Sequence, residues 1–201
     1  MTEFSFIRHA ESVANLHPEI VGGRRNPAEL TDVGIKQAMK LGASLLHRSY
    51  VPDEVFVSPA VRARQTALGV FGGDFPFEYD DRLLEMTHGK AEGKLRDQVY
   101  TQDVIRERER MGKNFRLGDD AESVNDVALR MIDFLREKSE AHHSAKIAVV
   151  SHGIAIKSLV AHIENHSQEW IYKTPLVNAS ITTLITSDEE IIVASVGQEY
   201  A

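Results

Sequence analysis

The chain has 201 residues, 42% of them hydrophobic and 26% charged, with a formal net charge of −7 and no cysteine. Its acidic balance argues against general binding to nucleic acid or to an anionic membrane, because phosphate-rich surfaces select basic partners. Without cysteine there are no disulfides, thiolate nucleophiles or cysteine-ligated metals.

The first apolar run, residues 3–9 ("EFSFIRH"), reads as a strand, and residues 31–48 ("TDVGIKQAMKLGASLLHR") as an amphipathic helix capped by Thr31 or Asp32. Residues 54–59 form a second strand, followed by a helix over 59–71 with Pro59 in its first turn. A short strand and turn cover 77–85, residues 94–112 are rich in charge and helix formers, and 121–141 read as a helix. The uninterrupted, β-branched run 146–152 is the most buried strand candidate. Two alternating runs, 179–187 and 190–196, flank Asp188 and Glu189 and read as a terminal hairpin.

Strands alternating with helices predict an α/β fold, a three-layer α/β/α sandwich around a mostly parallel central sheet. Residues 1–201 are expected to form a single domain, with a helical insertion over the site at about 88–121. No basic segment leads into an apolar one near Met1, and no apolar run approaches the roughly 20 residues of a membrane span. The expected setting is cytoplasmic. Helical faces could mediate a homodimer, but no residue singles one out.

In open α/β sheets ligands sit beyond the carboxyl ends of the parallel strands. Two apolar runs end there in histidine: His9 after Arg8, and His152 before Gly153. The strand ending at Ser58 delivers Arg62 to the same edge. Guanidinium forks, imidazole donors and helix N-termini together make a pocket for a phosphoryl group. A single strand-end histidine is more often structural, and Arg62 alone reads as a surface residue. Arg8 is harder to place so, because an arginine closing a buried strand is costly without an anionic partner.

The segments "RHAESVAN" (8–15), "SPAVRARQTA" (58–67), "LLEMTHGKAEG" (83–93) and "VVSHG" (149–153) resemble, in order and spacing, the histidine phosphatase superfamily of phosphoglycerate mutase-like proteins. "LTDVGIKQA" (30–38) and "NASITTL" (178–184) are similar to further segments of that family, so the resemblance spans residues 4 to about 185. It implies that His9 attacks phosphorus and becomes a phosphohistidine. Arg8, Arg62 and a protonated His152 would keep His9 uncharged and hold the phosphoryl oxygens. Glu85 matches the family's general acid, and Asn15 a phosphate-contacting position. Arginines and histidines supply the positive charge, so neither a metal nor a cofactor is expected.

Three positions depart from the family pattern: Ala10 replaces a usual glycine, and His88 and Ala91 stand where aromatic residues are common. His88 could touch substrate or be a solvated loop residue. Gly22 and Gly23 permit a tight turn beside the pocket, where Arg24 and Arg25 could contact a second anionic group; a solvated basic loop is the other reading. Glu122 and Ser123 read as helix-capping.

A phosphohistidine serves both mutases and phosphatases, which differ in whether water reaches it. The chain is shorter than the family's mutases and lacks their stretches after the acid motif. The expected activity is therefore hydrolysis of a small phosphorylated metabolite. The alternatives are a cofactor-dependent phosphoglycerate mutase and a non-catalytic phosphate-binding regulatory protein.

Overall fold

Side chains along β1 (Thr2–Arg8) alternate between two cores, as a period-2 element requires. Phe4 and Phe6 join one buried cluster and Ile7 the other, while in β4 (Lys146–Ser151) Ile147 and Val149 part in the same way from Ala148 and Val150. A computed structural model describes residues 1–25, 27–187 and 190–200 of the chain. Its sheet has the order β3-β2-β4-β1-β5-β6, with β2 (Glu54–Val57), β3 (Glu78–Tyr79), β5 (Ile181–Thr186) and β6 (Ile191–Gln198). Pairs among β1 to β4 are parallel, and β5 and β6 add antiparallel at one edge. The expected terminal hairpin is present; its turn residues Asp188 and Glu189 lie outside the described residues.

Helices α1 (Asp32–His47) and α2 (Val61–Phe71) cover one face through Leu41, Leu45, Ala63 and Ala67. Helices α5 (Val124–Ala141) and α6 (Gly153–Ile163) cover the other through Val127, Met131, Ile156 and Leu159. This is the three-layer architecture expected from the sequence. Thr31 caps α1, its hydroxyl accepting from Gly34 N at 3.0 Å.

Three boundaries differ from expectation. Pro59 precedes α2 rather than entering its first turn, because Ala60 keeps extended backbone and caps the helix. The charged segment 94–112 divides into α3 (Arg96–Val99) and α4 (Gln102–Met111), since the Thr101 hydroxyl takes the Val104 N–H and starts a new helix. Helix α5 starts at Val124, behind a capping box of Ser123 and Asp126. A short helix α7 (Gln168–Lys173) follows α6.

Candidate active site

Strand β1 ends at Arg8, and the next residue, His9, carries the ring around which the site is built. His9 is 4% exposed, and its Nδ1 lies 2.8 Å from the carbonyl of Ala10. A carbonyl only accepts, so Nδ1 carries the ring proton and Nε2 presents the lone pair. Toward that nitrogen Arg62 Nε donates at 3.3 Å. The backbone is fixed as well: His9 N donates to Ser151 O at 2.9 Å, and Asn178 Nδ2 to His9 O at 2.8 Å. Burial, then the Arg62 and Arg8 guanidiniums, push the His9 pKa far below the usual range against a smaller pull from the Ala10 carbonyl. The ring is therefore neutral at physiological pH.

Arg62, in the first turn of α2, is 4% exposed and also donates to Arg25 O at 3.0 Å and Gly23 O at 3.2 Å. One guanidinium thus joins the nucleophile candidate to the 22–25 loop. Gly23 has φ of +113°, and a Cβ there would lie 2.4 Å from Glu92 Oε1, so both backbone and space demand glycine. Gly22 has open space around its Cβ position.

Arg8 donates through Nη1 to Leu176 O. A Cβ on Gly153 would lie 3.3 Å from Arg8 Nε, so this glycine lets the guanidinium lie against the start of α6. Among the described residues, Arg8 Nε and His152 Nδ1 are buried without a hydrogen-bond partner. Buried polar atoms are normally satisfied, and these two belong to residues flanking His9.

Glu85 lines the same cavity, its carboxylate set at the start of α6. Its Oε1 accepts from Met86 N at 2.9 Å and Ala155 N at 3.0 Å, and its Oε2 from Ile154 N at 3.1 Å. Ile154 and Ala155 belong to the first turn of α6, whose N–H groups have no partner within the helix. Asn15 Oδ1 accepts from Ser12 N at 2.9 Å and Ser12 Oγ at 3.0 Å, which leaves its amide nitrogen as the free donor.

Arg8, His9, Asn15, Gly22, Gly23, Arg25, Arg62, Glu85 and His88 line one cavity of about 220 Å³. His17 and Arg96, which sequence reasoning did not single out, line it as well. A larger cavity, about 600 Å³, lies between α5, α6 and the terminal hairpin and holds none of these residues. Size therefore does not choose the site; the convergence of titratable groups does. Ala10 is fully buried against Leu30 and Ala38, so the extra methyl group is absorbed by packing behind the site.

Three expectations require correction. His152 does not face His9 across an open crevice as a charged group: it is fully buried, its ring 5.1 Å from that of His9 at 60°. Burial, followed by Arg62, His9, Arg130 and Arg8, pushes its pKa far below the usual range, so it is neutral rather than protonated. Its Nε2 pairs with Ser58 Oγ at 2.7 Å. Arg24 does not join the pocket: it donates to Glu85 O at 3.0 Å and to Glu122 Oε1 at 2.9 Å. Glu122 therefore pairs guanidiniums instead of capping α5, a role left to Ser123.

Sequence reasoning also missed Glu92, whose Oε1 gathers Arg24 N at 3.0 Å, Thr87 Oγ1 at 2.9 Å and His88 N at 3.0 Å. It missed Arg130 on α5, and Asn178, although Asn178 opens the family-like segment "NASITTL". Arg96 had no distinguishing signal in a charged stretch. It enters the site because residues 19–21 pair with 93–96, Arg96 N donating to Glu19 O at 2.8 Å.

The histidine phosphatase superfamily (branch 1) family model matches residues 4–199. Phosphoserine phosphatase 1 of Hydrogenobacter thermophilus is 33% identical over 167 residues, covering 79% of this chain and 74% of that one. A metal-independent phosphoserine phosphatase of Arabidopsis thaliana is 27% identical, covering 97% and 81% of the two chains. In fold, the chain matches an Entamoeba histolytica phosphoserine phosphatase solved with phosphoserine, with TM-score 0.85, 23% identity and 98% of each chain covered. With a family model spanning nearly its whole length, the chain belongs to the histidine phosphatase superfamily (branch 1).

Proposed function

We propose that the chain is a phosphatase that hydrolyses a small phosphomonoester through a phosphohistidine on His9, with Glu85 as general acid and base. The observation that carries this reading is the His9 ring, anchored at Nδ1 and neutral, with its Nε2 lone pair beside Arg62. In the first step Nε2 attacks phosphorus as the bond to the ester oxygen breaks, and Glu85 protonates the departing alkoxide. In the second, water attacks the phosphohistidine, Glu85 takes its proton, and the nitrogen–phosphorus bond returns its electron pair to Nε2. Arg8, Arg62 and the amide of Asn15 hold the phosphoryl oxygens, and the neutral His152 donates a hydrogen bond.

The rim supports a small, doubly anionic substrate. Beyond the groups assigned to the phosphoryl oxygens, the cavity presents His17, Arg25, His88 and Arg96, with Glu85 as its lining carboxylate. A volume of about 220 Å³ falls below the roughly 300–1,000 Å³ of sites for drug-sized ligands. Arg25 and Arg96, both exposed and both lining the cavity, read a carboxylate or second phosphate. The relatives' names make phosphoserine the first candidate. Exposure of Asn15, His17, Arg25 and Arg96 gives water access to the pocket, which favours hydrolysis over transfer. We further assign residues 88–121 as the segment that shapes the pocket mouth through His88 and Arg96. The reading suits an enzyme of the cytoplasm, acting alone or as a homodimer.

The test is phosphate release from phosphoserine, phosphoglycerates, sugar phosphates, nucleotides and aryl phosphates, together with conversion of 3- to 2-phosphoglycerate. Release without interconversion is expected. Fast interconversion with little release would instead identify a mutase.

A further inference from the structure

Glu85 is held at both ends. Besides the three N–H groups on its carboxylate, its own carbonyl oxygen accepts from Arg24 Nε at 3.0 Å and from Arg130 Nη2 at 3.2 Å. Two cations converging on one oxygen repel each other. Glu122 stands between them, its Oε1 accepting from Arg24 Nη2 and from Arg130 Nε, each at 2.9 Å. Its Oε2 accepts from Arg130 Nη2 at 3.2 Å and from Thr87 N at 3.0 Å. In return Glu122 N donates to Thr87 O at 2.9 Å, so the segment just after Glu85 is fixed through both polar groups of Thr87.

The Glu122 and Arg130 side chains are 18% and 15% exposed, which makes these charge-assisted bonds stronger than on an open surface. Although burial acts to raise it, Arg130, the Thr87 N–H and Arg24 hold the Glu122 carboxyl below the usual range. None of Arg24, Glu122 and Arg130 lines the cavity. Arg24 and Arg130 meet the catalytic segment at the Glu85 carbonyl oxygen.

We propose that Arg24, Glu122 and Arg130 form a positioning clamp that fixes the backbone of Glu85, with Glu122 holding the two cations together. The proposal rests on Glu85 being the proton donor. A general acid works only within hydrogen-bond reach of its oxygen, and a displacement of about 1 Å can cost about 100-fold in rate. The cost of loosening the clamp depends on the leaving group, because an activated aryloxide departs without a proton and an alkoxide does not.

The experiment is kcat/KM across aryl and alkyl phosphates of graded leaving-group pKa for wild type, Glu85→Gln, Glu122→Gln, Arg24→Lys and the Glu85→Gln/Glu122→Gln double variant. Glu122→Gln should lose about tenfold on alkyl phosphates and less than about twofold on nitrophenyl phosphate. The double variant should be no worse than Glu85→Gln on alkyl phosphates, since the clamp then has no proton donor to place. Arg24→Lys sits at the more exposed end, 31% accessible, and should show the same selectivity in smaller degree even if Glu122→Gln folds poorly. Equal losses on all substrates, or additive losses in the double variant, would reduce the clamp to a packing element. If Glu85→Gln itself shows no leaving-group dependence, the proton-donor reading fails and the clamp with it. A steep Glu85→Gln with flat Glu122→Gln and Arg24→Lys removes the clamp alone.

Discussion

His152 meets His9 edge-on, their ring centroids 5.1 Å apart at 60°, and both imidazoles are held neutral by burial and by the same two arginines. Attack requires an unprotonated Nε2, and a neutral His9 supplies it. The arrangement costs stability at low pH.

Both rings titrate near 6.5 in the unfolded chain and far lower in the folded one. The unfolded state therefore binds more protons below pH 6.5, and stability falls as pH drops through that value. The slope is at most about 1.4 kcal/mol per pH unit for each histidine. Denaturant melts between pH 7 and 5 should show this decline, and His9→Ala should remove about one proton's worth of it. An unchanged slope in His9→Ala would mean that His9 takes up its proton alike in the folded and unfolded chain.

Ser58→Ala deletes the Oγ that pairs with His152 Nε2 at 2.7 Å in a fully buried place. With Nδ1 already unpartnered, both ring nitrogens would then lack a protein partner. The expected cost is about 1–3 kcal/mol in denaturant stability, with a fall in kcat as the ring loses its orientation. Wild-type stability and rate would show that the pair does not orient His152.

Gly153→Ala places a methyl group 3.3 Å from Arg8 Nε, close enough that one of the two must shift by a few tenths of an ångström. Arg8 is tied to Leu176 O and cannot move freely. Gly153 opens α6, where alanine's helix-interior advantage is not realised, so stability should fall modestly and kcat/KM several-fold. Melting temperature and kinetics on one preparation separate the two effects.

Arg25→Ala and Arg96→Ala should raise KM for phosphoserine or phosphoglycerate about tenfold and leave phenyl phosphate within about twofold. Equal effects on all three substrates would show that these arginines shape the loop and do not read a second charge.

The contrast between Arg24 and Arg25 shows how far the sequence could be read. Both follow the Gly22–Gly23 turn, and both looked able to meet an anion. Arg25 lines the cavity, while Arg24 turns to Glu122, a partner 98 residues away. Strand ends were legible because an apolar run closing in Arg8–His9, or in His152, has a fixed place at the carboxyl edge of a parallel sheet. Arg62 followed from its place in the first turn after a strand. Loop side chains were not legible, because their directions depend on long-range partners such as Glu92, Glu122 and Arg130. The split between α3 and α4 was missed for a local reason: Thr101 stops one helix and caps the next inside a stretch of uniformly good helix formers.

The most direct test of the account is rapid quenching of wild-type enzyme turning over a phosphate-labelled monoester, followed by mapping of the protein-bound label. The account predicts acid-labile, alkali-stable phosphate on His9 Nε2, formed and discharged at the rate of turnover and absent in His9→Ala. Turnover with no label on His9, or label and activity persisting in His9→Ala, would contradict it.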